Sequence, residues 1–95
     1  MPHEELEPLG PAEVARTALR EVGELTGKPA SGITALEADD DGGWTVEVEV
    51  VEDRRIPSSS DLLAVYRAEV TADGDLAGLR RIRRYPRGQG NSEAA

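Results

Sequence analysis

No cysteine and no phenylalanine occur in this 95-residue sequence. Tryptophan, histidine, methionine and lysine appear once each, and tyrosine twice. Each shortage excludes something. Without cysteine there is no disulfide, no thiolate nucleophile and no cysteine-bound zinc. Small secreted domains often depend on disulfides, so a cytoplasmic protein is expected. The one histidine, His3, lies in the N-terminal stretch, away from any base role. No apolar run approaches the roughly 20 residues of a membrane span, so no membrane partner is expected. The start, Met1-Pro2-His3-Glu4-Glu5, has no basic segment, so a secretory signal is not expected. No glycine-rich phosphate loop is present, and no nucleophile–base pair, metal set or cofactor motif appears. The sequence therefore reads as a non-enzyme without cofactor or metal.

What is present is mostly charge and small aliphatics. The formal net charge is −8. Residues 1–75 hold 18 acidic and 6 basic groups, whereas residues 76–95 hold 5 arginines and one glutamate. An acidic body favours solubility and opposes nonspecific binding to nucleic acid. A chain this short buries only about 60% of its unfolded surface, so one domain with a modest Val, Leu, Ile and Ala core is expected.

Residues 1–9 are rich in Pro and Glu and read as a disordered acidic tail. Pro11, with no N–H to leave unsatisfied, suits a first helical position. Val14, Ala15, Ala18, Leu19, Val22 and Leu25 recur at spacings of three and four, the stripe of an amphipathic helix. Gly27 and Pro29 end it. The period then becomes two. Ile33, Ala35 and Leu36 mark a first strand. Asp39-Asp40-Asp41-Gly42-Gly43 is turn chemistry. Trp44, Val46, Val48 and Val50 alternate with Thr45, Glu47, Glu49 and Val51 in a second strand.

Glu52 to Asp61 forms a connection. The third strand, Leu62 to Thr71, sets Leu62, Ala64, Tyr66, Ala68 and Val70 on one face. Asp73-Gly74 marks a tight hairpin. The fourth strand runs from Leu76 to about Tyr85, where the three-residue spacing of Leu79, Ile82 and Tyr85 predicts a bulge near Arg80-Arg81. Gly88 to Ala95 reads as a disordered tail. One helix and a sheet with one apolar face bury each other. The predicted fold is α+β: an N-terminal amphipathic helix on a four-stranded antiparallel sheet over residues 10–87, in the order α-β-β-β-β, which a cystatin-like arrangement would fit.

Several segments in fixed order carry a family resemblance. A helix ending Glu24-Leu25-Thr26-Gly27 comes first. Trp44-Thr45-Val46-Glu47-Val48-Glu49-Val50-Val51-Glu52 and Arg55-Ile56-Pro57 follow. Then come Asp61-Leu62-Leu63-Ala64-Val65-Tyr66, Ala72-Asp73-Gly74-Asp75-Leu76 and Arg81-Ile82-Arg83-Arg84-Tyr85-Pro86-Arg87. The ordered set resembles the gas vesicle protein O family over roughly residues 11–88. Two positions depart from its pattern: Leu79 stands where an aromatic is expected, and Pro86 interrupts the basic end and removes a backbone donor. The resemblance implies an accessory role in forming gas vesicles, with the shell protein or other accessory gas vesicle proteins as partners.

The candidate partner-binding residues are Arg54, Arg55, Arg80, Arg81, Arg83, Arg84 and Arg87. The five in the last strand suit an acidic partner or a phosphate backbone. They also suit pairing with the acidic strand faces of Glu47, Glu49 and Glu69. Pairing is the preferred reading for Arg81 and Arg83, and partner binding for Arg84 and Arg87. The Arg54-Arg55-Ile56-Pro57 loop offers its two arginines outward while Ile56 is expected to tuck into the core. The alternative function is a small nucleic-acid-binding regulator of gas vesicle genes acting through the arginine cluster. The net charge and the lack of aromatic stacking platforms weigh against it.

Overall fold

The first helix is set by its ends. In a computed structural model, which describes residues 9–89, helix α1 spans Pro11–Thr26. The Gly10 N–H donates to Glu13 Oε1 at 3.0 Å, which satisfies an orphan donor at the start. Gly27 closes the helix with φ 69°, a conformation that costs glycine nothing, and its N–H donates to the Gly23 carbonyl. Val14, Ala18 and Val22 are fully buried, whereas Leu25 is 62% exposed. The stripe therefore faces the core except at its last member.

Four strands follow: β1 (Ala30–Ala38), β2 (Trp44–Asp53), β3 (Leu62–Val70) and β4 (Leu76–Pro86). They form one antiparallel sheet in the order β1-β2-β3-β4, a plain meander. The fold is the α+β arrangement that the sequence predicts. Some boundaries differ. β1 starts three residues before Ile33 because Ala30 and Gly32 pair with Val50 and Glu49. Its register slips twice, which turns both Ile33 and Leu36 toward the core although they are three apart. In β4 the extra residue opposite Val65 and Tyr66 is Ile82, so the bulge sits just past Arg80-Arg81.

Val46, Val48 and Val50 of β2 and Ala64, Ala68 and Val70 of β3 meet the helix face. Fully burying one valine side chain stabilises the fold by roughly 1.5–3 kcal/mol, so this cluster of small aliphatics does the work that aromatics do elsewhere. Trp44, Tyr66 and Leu9 pack on its rim. The expected tails, apart from Leu9, Gly88 and Gln89, lie outside the described residues. The helix packs mostly against β1 and β2 and barely touches β4. Among the described residues nothing else covers the helix-side face of β4's second half. On the opposite face Val51, Leu63 and Val65 are also buried. Glu49 helps to close that patch, accepting hydrogen bonds from Ser31 Oγ in β1 and from the Tyr85 hydroxyl in β4.

Candidate interaction surface

The meander places its two tight turns at one end of the sheet. The long β2–β3 connection sits at the other, beside the end of β4. After Asp53 the chain leaves the sheet, and residues 54–60 are all exposed. A short 3-10 turn, Ser58–Ser60, leads to Asp61. The Ile56–Pro57 peptide bond is cis.

Asp61 fastens this connection. Its side chain belongs to a residue only 3% exposed, and both carboxylate oxygens are engaged. Oδ1 accepts from the Arg55 backbone N–H at 2.6 Å. Oδ2 accepts from Arg87 Nη2 at 3.0 Å. The Arg87 backbone N–H donates to the Asp61 carbonyl at 2.7 Å. The Arg55 N–H first, and then the Arg87 guanidinium, hold the Asp61 carboxyl below its usual range against the opposing effect of burial. Gly88 passes so close to the connection that an added Cβ would lie 2.9 Å from the Ser59 carbonyl oxygen.

Two further carboxylates aim the neighbouring arginines. Asp53 Oδ2 accepts from Arg55 Nη2 at 2.9 Å and Nε at 3.0 Å. Glu52, on the helix-side face, takes Arg84 Nε at 2.9 Å and Arg81 Nη1 at 3.4 Å. The uncovered part of β4 explains this pair. Arg81 and Arg84 stand opposite Tyr66 and Ala64, on the helix side of the sheet. There the helix does not reach them, and a carboxylate does.

The structure thus gathers five of the seven sequence-predicted arginines, Arg54, Arg55, Arg81, Arg84 and Arg87, at one end of the sheet. Arg80 and Arg83 turn to the other face. Arg80 lines a shallow recess with Arg67, Glu69 and Gly78. Arg83 lies over the Tyr85 ring, 5.4 Å from its centroid. The Tyr85 hydroxyl, partly desolvated and bonded to Glu49, is pushed above its usual pKa.

Three details of the sequence reading change. Pairing within the domain takes Arg84 and Arg87 along with Arg81, and Arg83 rests on Tyr85 instead of a carboxylate. The acids that pair with the β4 arginines are Glu52 and Asp61, not Glu47, Glu49 and Glu69. Glu47 is taken by Arg67 at 3.1 Å, and Glu49 by Tyr85. Ile56, expected in the core, is 100% exposed, because the connection overhangs the sheet end where there is no second layer to bury it. Sequence reasoning missed Asp61 as a fastening point. Its one signal was an acid directly after three serines and directly before a strand, the composition of a side-chain-closed turn.

The acidic turns at the opposite end keep to local work. Thr45 Oγ1 donates to Asp39 at 2.9 Å, and the Gly43 N–H to Asp41 Oδ1 at 3.0 Å. Among the described residues no three metal-ligating side chains converge, and no helix is long and apolar enough to cross a membrane.

The family model described as gas vesicle synthesis protein GvpO matches residues 1–91. Gas vesicle protein O of Streptomyces sp. (strain CB03234) is 45% identical over 83 residues, 87% of this chain and 64% of that protein. Gas vesicle protein O of Haloferax mediterranei is 34% identical over 62 residues, 65% of this chain and 44% of that protein. Gas vesicle protein O1 of Halobacterium salinarum is 32% identical over 80 residues, 83% and 66% respectively. The chain therefore spans between about two fifths and two thirds of these relatives' lengths. No solved structure gives a significant match.

Proposed function

The chain belongs to the gas vesicle synthesis protein GvpO family, and from that premise we propose that it is a non-enzymatic accessory protein of gas vesicle formation. It acts by binding other gas vesicle proteins during assembly, in the cytoplasm or on the growing vesicle. The observation that carries this reading is the arginine-rich end of the sheet. Five guanidiniums converge there on a chain whose net charge is −8. The part-buried Glu52 and the buried Asp61 hold Arg81, Arg84 and Arg87, and the exposed Asp53 holds Arg55. Such a basic island in an acidic body suits a local acidic partner and steers its approach. Glu52, Asp53 and Asp61 lie between the arginines. That interleaving fits a protein partner better than a continuous phosphate track, which favours unbroken positive charge. The edges of the open sheet, β1 and β4, offer a second route through strand addition.

The test is co-purification from vesicle-forming cells, using tagged wild-type chain and a variant with Arg54, Arg55, Arg84 and Arg87 changed to Gln. Circular dichroism checks that the variant still folds. Gas vesicle proteins are expected with the wild type and lost with the variant. Normal vesicles in cells lacking the protein would sink the proposal.

A further inference from the structure

We infer that Ile56 is the apolar anchor of this surface, and that its partner is a segment of another protein presenting an aliphatic pocket rimmed by carboxylates. The inference rests on the binding role proposed above and names the chemistry of the partner.

Ile56 is the most exposed large apolar side chain described, at 100%, against 62% for Leu25 and 37% for Ile82. The backbone on both sides of it is held. Before it, the Arg55 N–H is bound to Asp61 Oδ1. After it, the Ser60 N–H donates to the Pro57 carbonyl and the Asp61 N–H to the Ser58 carbonyl, both at 2.9 Å. Pro57 fixes its own φ and restricts the residue before it. The ordering cost that usually weakens loop-mediated binding is therefore met in folding. An aliphatic side chain on a backbone held in this way loses on docking its hydration and its own rotamer freedom, and little more.

The surroundings select the pocket. Arg54 and Arg55 precede Ile56, and Asp61 draws Arg87 to the same connection. Arg55, Arg84 and Arg87 use one or two of their five N–H donors in the pairs described. The remaining donors suit bidentate contacts to a partner's carboxylates around the apolar centre, the usual layout of an anchor inside a polar rim.

Other occupants fit less well. An anionic membrane or a nucleic acid is extended, and would bring the acidic remainder of the chain within reach of its own charge. A second copy offers a recess lined by Asp39, Asp41, Glu69, Asp73, Val70, Ala72 and Ala77 at the opposite end. Its charge is complementary, but Val70 is already buried at 2% exposure, which leaves little more than alanine methyls for Ile56. That head-to-tail contact would also be heterologous, without the self-complementarity of a two-fold dimer.

The experiment places a photo-crosslinking benzophenone amino acid at position 56 of the full chain in vesicle-forming cells, and separately at position 82 on the β4 edge. Crosslinked peptides are identified by mass spectrometry. The expected product from position 56 is a segment of another gas vesicle protein in which aliphatic residues lie among Asp and Glu. That segment, made as a peptide, is then titrated onto purified chain. Ile56→Ser is expected to weaken binding by at least about 10-fold and Ile56→Val by less, with unchanged circular dichroism because the side chain touches nothing. Crosslinking from position 56 to a second copy, lipid, nucleic acid or a segment without acids overturns the inference, as does an unaffected Ile56→Ser titration. Gas vesicle proteins caught from position 82 alone would overturn it while leaving the binding role standing. None caught from either position, with no gas vesicle protein co-purifying with the wild-type chain from cells that need it for vesicles, would remove the binding role itself.

Discussion

The two ends of the sheet are held by different kinds of contact. At the hairpin end the hydrogen bonds that close the turns are local. The Asp39 N–H reaches the Gly43 carbonyl at 2.8 Å, the Thr71 N–H the Asp75 carbonyl at 2.8 Å, and the Gly74 N–H the Thr71 carbonyl at 2.9 Å. At the arginine end local contacts, such as Asp53 with Arg55, are joined by others between residues far apart in sequence. Asp61 binds Arg87 across 26 positions, and Glu52 binds Arg81 across 29. The hairpin end is a consequence of turn chemistry and will form wherever its strands form. The arginine end exists only when β2, β3 and β4 have paired, so its surface reports on the assembly of those three strands. An accessory protein that must bind only when folded gains from carrying its binding residues there.

The largest expected effect tests whether the two ends share one core. Val48 of β2 is fully buried in the core that the sheet shares with the helix. Val48→Ala is expected to cost about 2 kcal/mol and to lower the melting temperature by roughly 10 °C. Both ends should lose protection together in hydrogen exchange. Separate melting of the ends would show that they are independent units, and would break the comparison.

A smaller, directional effect follows from Asp61→Ala. The amides of Arg55, Asp61 and Arg87 should exchange at least about 10-fold faster. The amides of Gly43 and Thr71 should keep their wild-type rates. Equal acceleration at both ends would mean that Asp61 supports the core rather than the connection alone.

The same asymmetry explains which parts of the fold were legible in the sequence. The helix was, because Val14, Ala18 and Val22 carry its period and Gly27 its stop. So were β2 and the Asp-Gly turns, where the signals lie within a few residues. The first residues of β1 were not. Ala30, Ser31 and Gly32 are poor strand formers, and they join the sheet only because β2 offers Val50 and Glu49 as partners. The site was half legible. Composition located its arginines, but alternation in a bulged strand did not say that Arg81 and Arg84 would share Glu52 on one face. Ile56 was misplaced because an aliphatic residue was assumed to find a core. Whether one lies above it depends on where the helix ends, which is not a local property.

Titration sharpens the contrast further. Asp61 has a folded pKa below its ordinary 3.8. Its contribution to stability is therefore fully present above that value and lost as pH falls through the folded one. The Arg55 amide signal in NMR should titrate with a midpoint below 3.8. A midpoint at or above that value would contradict the geometry of the fastening. Tyr85 has the opposite sign. Its folded pKa is raised above 10.0, so its contribution is present below that value and lost as pH rises through the folded one. Ultraviolet absorbance should show one tyrosine ionising later than a free phenol.

The smallest expected effect separates holding a surface from charging it. Glu52, with a side chain only 14% exposed, holds Arg81 and Arg84, whose side chains are about half exposed. Solvent-facing pairs of this kind contribute about 0–1 kcal/mol, so Glu52→Gln should lower stability by less than about 1 kcal/mol. Its effect on binding should have the other sign. Removing one carboxylate raises the positive charge of the arginine end while Asp53 and Asp61 still hold the loop. An acidic partner should then associate faster, and the gain should shrink as salt rises. If Glu52→Gln instead weakened binding as strongly as loss of the arginines, the orientation that Glu52 imposes on Arg81 and Arg84 would matter more than the charge it cancels. The surface would then recognise its partner by the fixed geometry of those guanidiniums.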